Sequence, residues 1–420
     1  MIPLAEAQGR VFSGIETLPP RRIAVVDALG LVLAADVVAS EPIPPFANTA
    51  MDGYAVRAAD TASAAAGSPA RLRVVGTLAA GAAPTTAVGA GEAIRIMTGA
   101  PIPDGADAVV MVERTTRDDG ADRADADDRA DDFVLVHEAA AVGDHVRPAG
   151  GDLAVGELVF EAGTVLGPAH LGVLASIDVQ ELSVHPRPRV GVISTGDELV
   201  AAGPVGPGQI RDSNRPMLLA LVTRAGFDAV DLGIARDDEA GMTAAIGDAL
   251  DRCDALITSG GVSVGDFDFV SNALERLAAH DADPRARVDW YQIAIRPAKP
   301  LCFSFVRGRP VFGLPGNPVS SLVSFEVFAR PALLTLAGRR DTAPRVVRAT
   351  AEEAMPRKVD GKLHLDRVAL RLVDGRYLAS GVRAQASNAL AATAAAHGLA
   401  LVPDGDGVAA GDEVMVQLLD

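Results

Sequence analysis

Between Arg189 and Ala337 the apolar residues fall into four short runs, Val190–Ser194, Ala229–Ala235, Ala255–Thr258 and Val311–Gly313, each followed by a polar or glycine-rich loop and then by a helical pattern. Short apolar runs that alternate with helices predict a three-layer α/β domain with a parallel-rich sheet. The loops Thr195-Gly196-Asp197-Glu198, Arg236-Asp237-Asp238, Ser259–Asp266 and Leu314–Pro318 would then share one edge. Sheets of this kind take ligands outside the carboxyl ends of their strands. Carboxylates beside the free N–H groups of helix starts suit an anionic substrate held with a hard cation.

Elsewhere the periodicity is different. Residues 4 to 17 read as a helix stopped by Pro19-Pro20, Val26–Leu29 as a short helical segment before extended Leu31-Val32-Leu33, and Pro168–Ser176 as another helix. Short pieces bury little alone, so they are expected to pack together as one discontinuous mixed domain, residues 1–41 and 140–180. Pro42-Ile43-Pro44-Pro45-Phe46 is a stiff entry to an inserted small β domain, 42–139, with runs at Leu72–Val75, Ala93–Met97, Ala108–Val112 and Phe133–Val136. After the α/β domain (181–338), Val346–Ala351, Leu363–Leu372, Tyr377–Leu378, Leu399–Val402 and Glu413–Leu419 alternate like strands. A hairpin signal at Val373-Asp374-Gly375-Arg376 makes 339–420 a C-terminal β-barrel-like domain. The fold class is multidomain α/β plus β.

Charge removes some functions. A net −17 over 420 residues disfavours nucleic acid and anionic membranes as partners. Asp118–Asp132, with eight aspartates and two arginines, reads as a solvated loop without the ligand spacing of a calcium site. Cys253 and Cys302 lack metal-ligand spacing and read as buried free thiols. The amino terminus has no signal-peptide pattern and no apolar run reaches about 18 residues, so a cytoplasmic protein is expected.

Candidate chemistry lies in several loops, each with a plainer reading beside it. Asp52-Gly53 is also a common turn pair, Thr98 also a strand-end hydroxyl, Asp152 also a solvated loop carboxylate, and Asp237 or Asp238 also a helix cap. Ser259–Asp268 offers two hydroxyls and two carboxylates but no Walker lysine. Arg296-Pro297-Ala298-Lys299-Pro300 fixes two cations in a stiff segment, which would locally reverse the field of an acidic chain. In Leu314–Ser321 prolines restrict the loop, Gly316 permits close approach, and Ser320 and Ser321 open a helix.

Phe46–Ala55, Met97-Thr98-Gly99-Ala100, Thr195–Leu199, Asp212-Ser213-Asn214, Ser259–Asp268, Arg296–Pro300 and Leu314–Ser320 together resemble the molybdopterin molybdenumtransferase family (MoeA; in animals the gephyrin E domain), in order along nearly the whole chain. The resemblance implies an elongated homodimer of four-domain subunits. Its active cleft would join the α/β domain of one subunit to the inserted and C-terminal domains of the other. It also implies the last step of molybdenum cofactor synthesis, in which molybdate is inserted into adenylylated molybdopterin and AMP leaves with Mg²⁺ present. Partners would be a molybdopterin adenylyltransferase and acceptor molybdoenzymes.

By motif, the catalytic candidates are Asp52, Thr98, Asp152, Glu198, Asp237 and Asp268, with Glu198, Asp237 and Asp268 as metal ligands. Substrate contacts would be Ser259, Gly260, Gly261, Ser263, Asp266, Arg296, Lys299, Pro315, Gly316, Asn317, Pro318 and Ser320, with Ser387 facing the partner's cleft. Thr49 stands where the family often has Ser, and Ala298 and Ala386 where it often has Gly. The competing readings are a molybdopterin adenylyltransferase, which needs only the α/β domain, and a non-catalytic dimeric scaffold.

Overall fold

The computed structural model describes residues 1–118, 132–236, 238–260 and 269–419. Its centre is a six-stranded sheet built from β1 (Arg189–Thr195), β2 (Asp228–Ala235), β3 (Ala255–Ser259), β4 (Arg287–Gln292), β5 (Pro300–Val306) and β6 (Arg309–Leu314), in the order β2-β1-β3-β6-β5-β4. The first four of that order run parallel and are the four strands expected from the sequence. β5 and β4 continue it antiparallel. Arg287–Gln292 is not expected as a strand, because it lies half-buried at an edge and lacks a continuous apolar run, whereas Pro300–Val306 is a buried apolar run.

Side-chain alternation sends each strand's residues to opposite faces. Val190, Val192, Ile257, Phe303 and Phe312 pack with α2 (Asn214–Arg224) and α5 (Pro318–Leu336), while Ile193, Leu256, Cys302 and Val311 pack with α3 (Glu239–Arg252) and α4 (Phe269–Ala279). This makes the three layers. α5 is 19 residues long and, among the described residues, the one helix apolar enough by length and composition to cross a membrane. The loop-and-helix division of the sequence hid that length. Most of it (89%) is buried inside the protein, so its apolarity belongs to the core. A π-helical stretch, Phe325–Ala329, interrupts it, and Gln8 Nε2 donates to the Val327 carbonyl there at 2.9 Å.

That contact corrects one expectation. The amino-terminal helix, α1 (Leu4–Phe12), packs Ala7 and Val11 into the α/β core rather than against residues 140–180. The discontinuous part is instead a small sheet in which Glu181–His185 pairs with both Arg21–Ala24 and Val32–Leu33, over a core of Leu33, Leu166, Leu174, Ile177, Leu182 and Val184. The sheet therefore extends past residue 180. The inserted part carries a six-stranded sheet, with Gly53–Val56 between Glu92–Ile96 and Ala108–Met111.

Five C-terminal strands, Val346–Ala351, Leu363–Val373, Arg376–Gly381, Gly398–Val402 and Glu413–Leu418, pair in a closed ring, as the barrel-like reading expects. Asp374 and Gly375 both have positive φ at the hairpin turn. Ile295–Arg296 joins this barrel beside Leu363–His364, so the segment carrying the two cations sits where the α/β and C-terminal parts meet.

Candidate functional site

The chain leaves β1 toward β2 on one side and returns to β3 on the other, so the order of the sheet reverses between β1 and β3. Ligands of open α/β sheets bind outside the strand ends at such a point. The loop after β1 places Glu198 there, exposed, with its carboxylate folded over Gly196; a Cβ at Gly196 would overlap it. Gly260, after β3, has φ +95°, and a Cβ on it would come within 2.9 Å of Thr195 O and Thr195 Oγ1. Glycine is what lets the two loops touch. Gly260 N–H donates to Leu314 O at 3.1 Å, which ties β3's loop to the end of β6.

Past β6, Pro315 is buried, Gly316 and Asn317 are exposed, and α5 begins at Pro318 with Ser320 buried in its first turn. Ser387 joins this end of the sheet: its carbonyl accepts the Val319 N–H of its own chain at 3.1 Å, which places its backbone at this chain's α5 start. The loop that carries it is held by Arg367, which is fully buried and donates to the carbonyls of Ala384 (2.8 Å), Ala386 (3.1 Å) and Ala389 (3.0 Å) and to Thr393 Oγ1 (2.6 Å). Arg296 and Lys299 are exposed. Between them Ala298, 3% exposed, has φ +73°, so an alanine holds the left-handed conformation that usually calls for glycine. Half-buried Asp366, its carboxyl pushed upward by burial, feels Arg296 among the neighbouring cations.

The inserted part supplies a separate corner. Asp52 Oδ1 accepts both the Thr98 N–H and the Thr98 hydroxyl at 2.7 Å. Those two hydrogen bonds, with a smaller contribution from Arg95, hold the Asp52 carboxyl below its ordinary range. Asp152 joins neither group: it is exposed, and its N–H donates to Ile43 O in the neck between the discontinuous and inserted parts. Asp238 turns out to be the N-cap of α3, accepting from Gly241 N at 2.7 Å. Asp237, Gly261, Ser263, Asp266 and Asp268 lie outside the described residues, as does 119–131 of the acidic loop.

A cleft of about 640 Å³, lined by Gly196, Asp197, Gln209, Arg236 and Asp238 among others, opens beside the same strand ends. Among the described residues no group of three His, Cys, Asp or Glu side chains could hold a metal ion. Of the expected metal set only Glu198 is described, and its exposed hard oxygens have the chemistry Mg²⁺ takes. Cys253 and Cys302 are buried and form no disulfide with each other, and burial pushes the Cys253 thiol up.

Asp212-Ser213-Asn214 carries part of the family resemblance, but the sequence assigns no site role to Asp212, Asn214, Arg215 or Arg367, and a lone arginine in a strand pattern carries no signal of burial. Yet Asn214 Nδ2 donates to Ser259 Oγ at 2.8 Å and to Gly316 O at 2.7 Å, within the site.

Residues 2–177 match the family model described as the MoeA N-terminal region (domain I and II), 191–335 that of a probable molybdopterin binding domain, and 349–419 that of the MoeA C-terminal region (domain IV). The chain is 40% identical over 424 residues to Molybdopterin molybdenumtransferase 2 of Mycobacterium tuberculosis, covering 99% of each. It is 33% identical over 353 residues to the Molybdopterin molybdenumtransferase of Staphylococcus aureus, covering 84% of this chain and 80% of that one. A molybdopterin biosynthesis MoeA protein from Pyrococcus horikoshii superposes over 100% of this chain and 99% of its own, with a TM-score of 0.80 and 31% identity. All three regions are present, in order along the chain. The chain belongs to the molybdopterin molybdenumtransferase family, transferases of molybdenum cofactor biosynthesis.

Proposed function

We propose that this protein inserts molybdenum from molybdate into adenylylated molybdopterin and releases AMP, acting with Mg²⁺ in a cytoplasmic homodimer. The observation that carries the reading is the convergence of Glu198, Ser259, Gly260, Pro315–Ser320 and Ser387 at one strand-order reversal. Breaking a phosphoanhydride asks more for charge neutralisation and positioning than for covalent catalysis. Glu198, with Asp237 and Asp268, would hold the cation, which when bound would offset charge on the phosphate and molybdate oxygens. The exposed Arg296 and Lys299 add positive charge at the junction with the barrel, where oxyanions would otherwise meet an acidic protein. Gly260 and Gly316 let a ligand approach the backbone closely.

Asp52 and Thr98 would come from the second subunit. Support for that is their place beside strands of a separate sheet, with no hydrogen bond to the α/β loops among the described residues. An adenylyltransferase would deliver the substrate, and an acceptor molybdoenzyme would take the product.

The test supplies adenylylated molybdopterin, molybdate and Mg²⁺ and follows AMP release together with reconstitution of a molybdoenzyme. Coupled AMP release and reconstitution are expected. ATP-dependent synthesis of the adenylylate would instead favour an adenylyltransferase, and neither activity would leave a scaffold.

A further inference from the structure

Asp212, Asn214 and Arg215, at the start of α2, reach β1, the middle of β2, the end of β3 and the loop after β6. Asp212 accepts from Ser194 Oγ on β1 at 3.0 Å and from Arg215 Nε at 2.9 Å. The Arg215 guanidinium crosses to Asp231 on β2, 2.5 Å away. Asn214 spans the other way, to Ser259 Oγ on β3 and to Gly316 O in the loop after β6. Asp212 and Asn214 are 8% and 7% exposed. Burying polar groups here costs desolvation that an apolar helix start would avoid, so something other than packing accounts for them.

The two arms of this brace do different things. Asp212 and Arg215 hold β1 and β2 on the far side of the reversal, whereas Asn214 is the member of the brace that reaches β3 and the loop after β6. Its amide orientation is set by Gly316 O, which can only accept, so Nδ2 must face that loop. Asn214 Oδ1 is then left with no hydrogen-bond partner among the described residues.

We propose that Asn214 is a positioning residue for the transfer reaction, fixing the separation between Ser259 and the Pro315–Pro318 loop so that the ligand meets a preset cleft. The proposal rests on the function proposed above. Asn214→Asp keeps the size but sets an acceptor against Gly316 O; Asn214→Ala removes the span; Arg215→Ala cuts only the other arm.

In the full-length protein, kcat/KM for adenylylated molybdopterin should fall about 100-fold in Asn214→Asp and about tenfold in Asn214→Ala, chiefly through KM in the latter. Arg215→Ala should lower the melting temperature more than either while moving KM less. Hydrogen exchange supplies an arm that needs no substrate: in Asn214→Ala the amides of 316–321 should exchange faster than in the parent, and in Arg215→Ala they should not. Parental KM and kcat in both Asn214 variants, or equal loosening of 316–321 in Arg215→Ala, overturns the proposal. If the parent itself transfers no molybdenum, the functional reading fails and the exchange comparison alone decides the role of Asn214.

Discussion

The α/β strand ends and the Asp52–Thr98 corner both present acidic and hydroxyl groups, but they are built to different plans. At the strand ends, polar groups from separate elements are spent on one another: Ser194 on Asp212, Asn214 on Ser259 and Gly316, Ser387 on Val319. At the corner, the Asp52 carboxylate is held by its sheet neighbour Thr98, and the segment leading to it exposes Phe46 (46%) and Met51 (43%). The second subunit of the proposed homodimer would cover those apolar side chains. One half is preorganised within its own chain; the other is organised only locally. A site divided this way would be assembled by dimerisation.

The sharpest way to break that comparison is to disable each half separately. Glu198→Gln keeps the size and removes the charge, and it should cut molybdenum insertion by about 100-fold with an unchanged melting temperature. Mixing Glu198→Gln chains with Asp52→Asn chains should restore about a quarter of the parental activity, because half the dimers are mixed and each of those has one intact site. No recovery after subunit exchange would put both halves in one chain.

A smaller effect should follow from loosening the loop that Ser387 rides on. Arg367→Met removes a buried guanidinium that satisfies three carbonyls and a hydroxyl. Burial already pulls its pKa below the usual arginine value, with Asp366 pulling it back. The orphaned acceptors should cost about 2–3 kcal/mol, read by denaturant unfolding. An unchanged midpoint would mean that residues 384–393 are held by something else.

How much of this was legible depended on whether a residue's role was local. The four parallel strands were readable because a buried strand between glycine-rich loops leaves an apolar run, as Val190–Ser194 and Ala255–Thr258 do. That Glu198 and Gly260 lie at the strand ends was readable because their loops adjoin those runs. Asn214, Arg215 and Arg367 were not, since each acts through partners far away in sequence: Gly316 for Asn214, Asp231 for Arg215, Ala389 for Arg367. For the same reason α1 was placed with the wrong neighbours. Its apolar face states that it packs, not against what.

At the corner, Thr98→Val should change protonation rather than fold. Asp52's carboxyl is depressed by the backbone and side-chain hydrogen bonds of Thr98, so it stays ionised at a lower pH than an ordinary aspartate. Valine removes the hydroxyl and keeps the N–H. The carboxyl should therefore titrate nearer its ordinary value, and any activity limb that needs Asp52 charged should move to higher pH. NMR titration of the Asp52 carboxyl carbon reads the shift directly; a titration unchanged from the parent would show that the backbone N–H alone sets it.

The smallest expected effect tests how rigidly the preorganised half is held. Ala298 sits at φ +73° between Arg296 and Lys299, and an alanine there costs about 1–2 kcal/mol relative to the right-handed region. The conformation persists because both flanks are fixed: Ile293 N–H donates to Lys299 O at 2.8 Å, and Arg296 pairs with His364 of the barrel. Glycine would relieve the strain but lose a buried methyl, worth about 0.8 kcal/mol, and would free the unfolded chain. Ala298→Gly should therefore stabilise by no more than about 0.5 kcal/mol, with kcat/KM within about twofold of the parent if the flanks alone place the two cations. A large fall in activity without loss of stability would mean that the alanine itself, by stiffening the segment, keeps Arg296 and Lys299 in register.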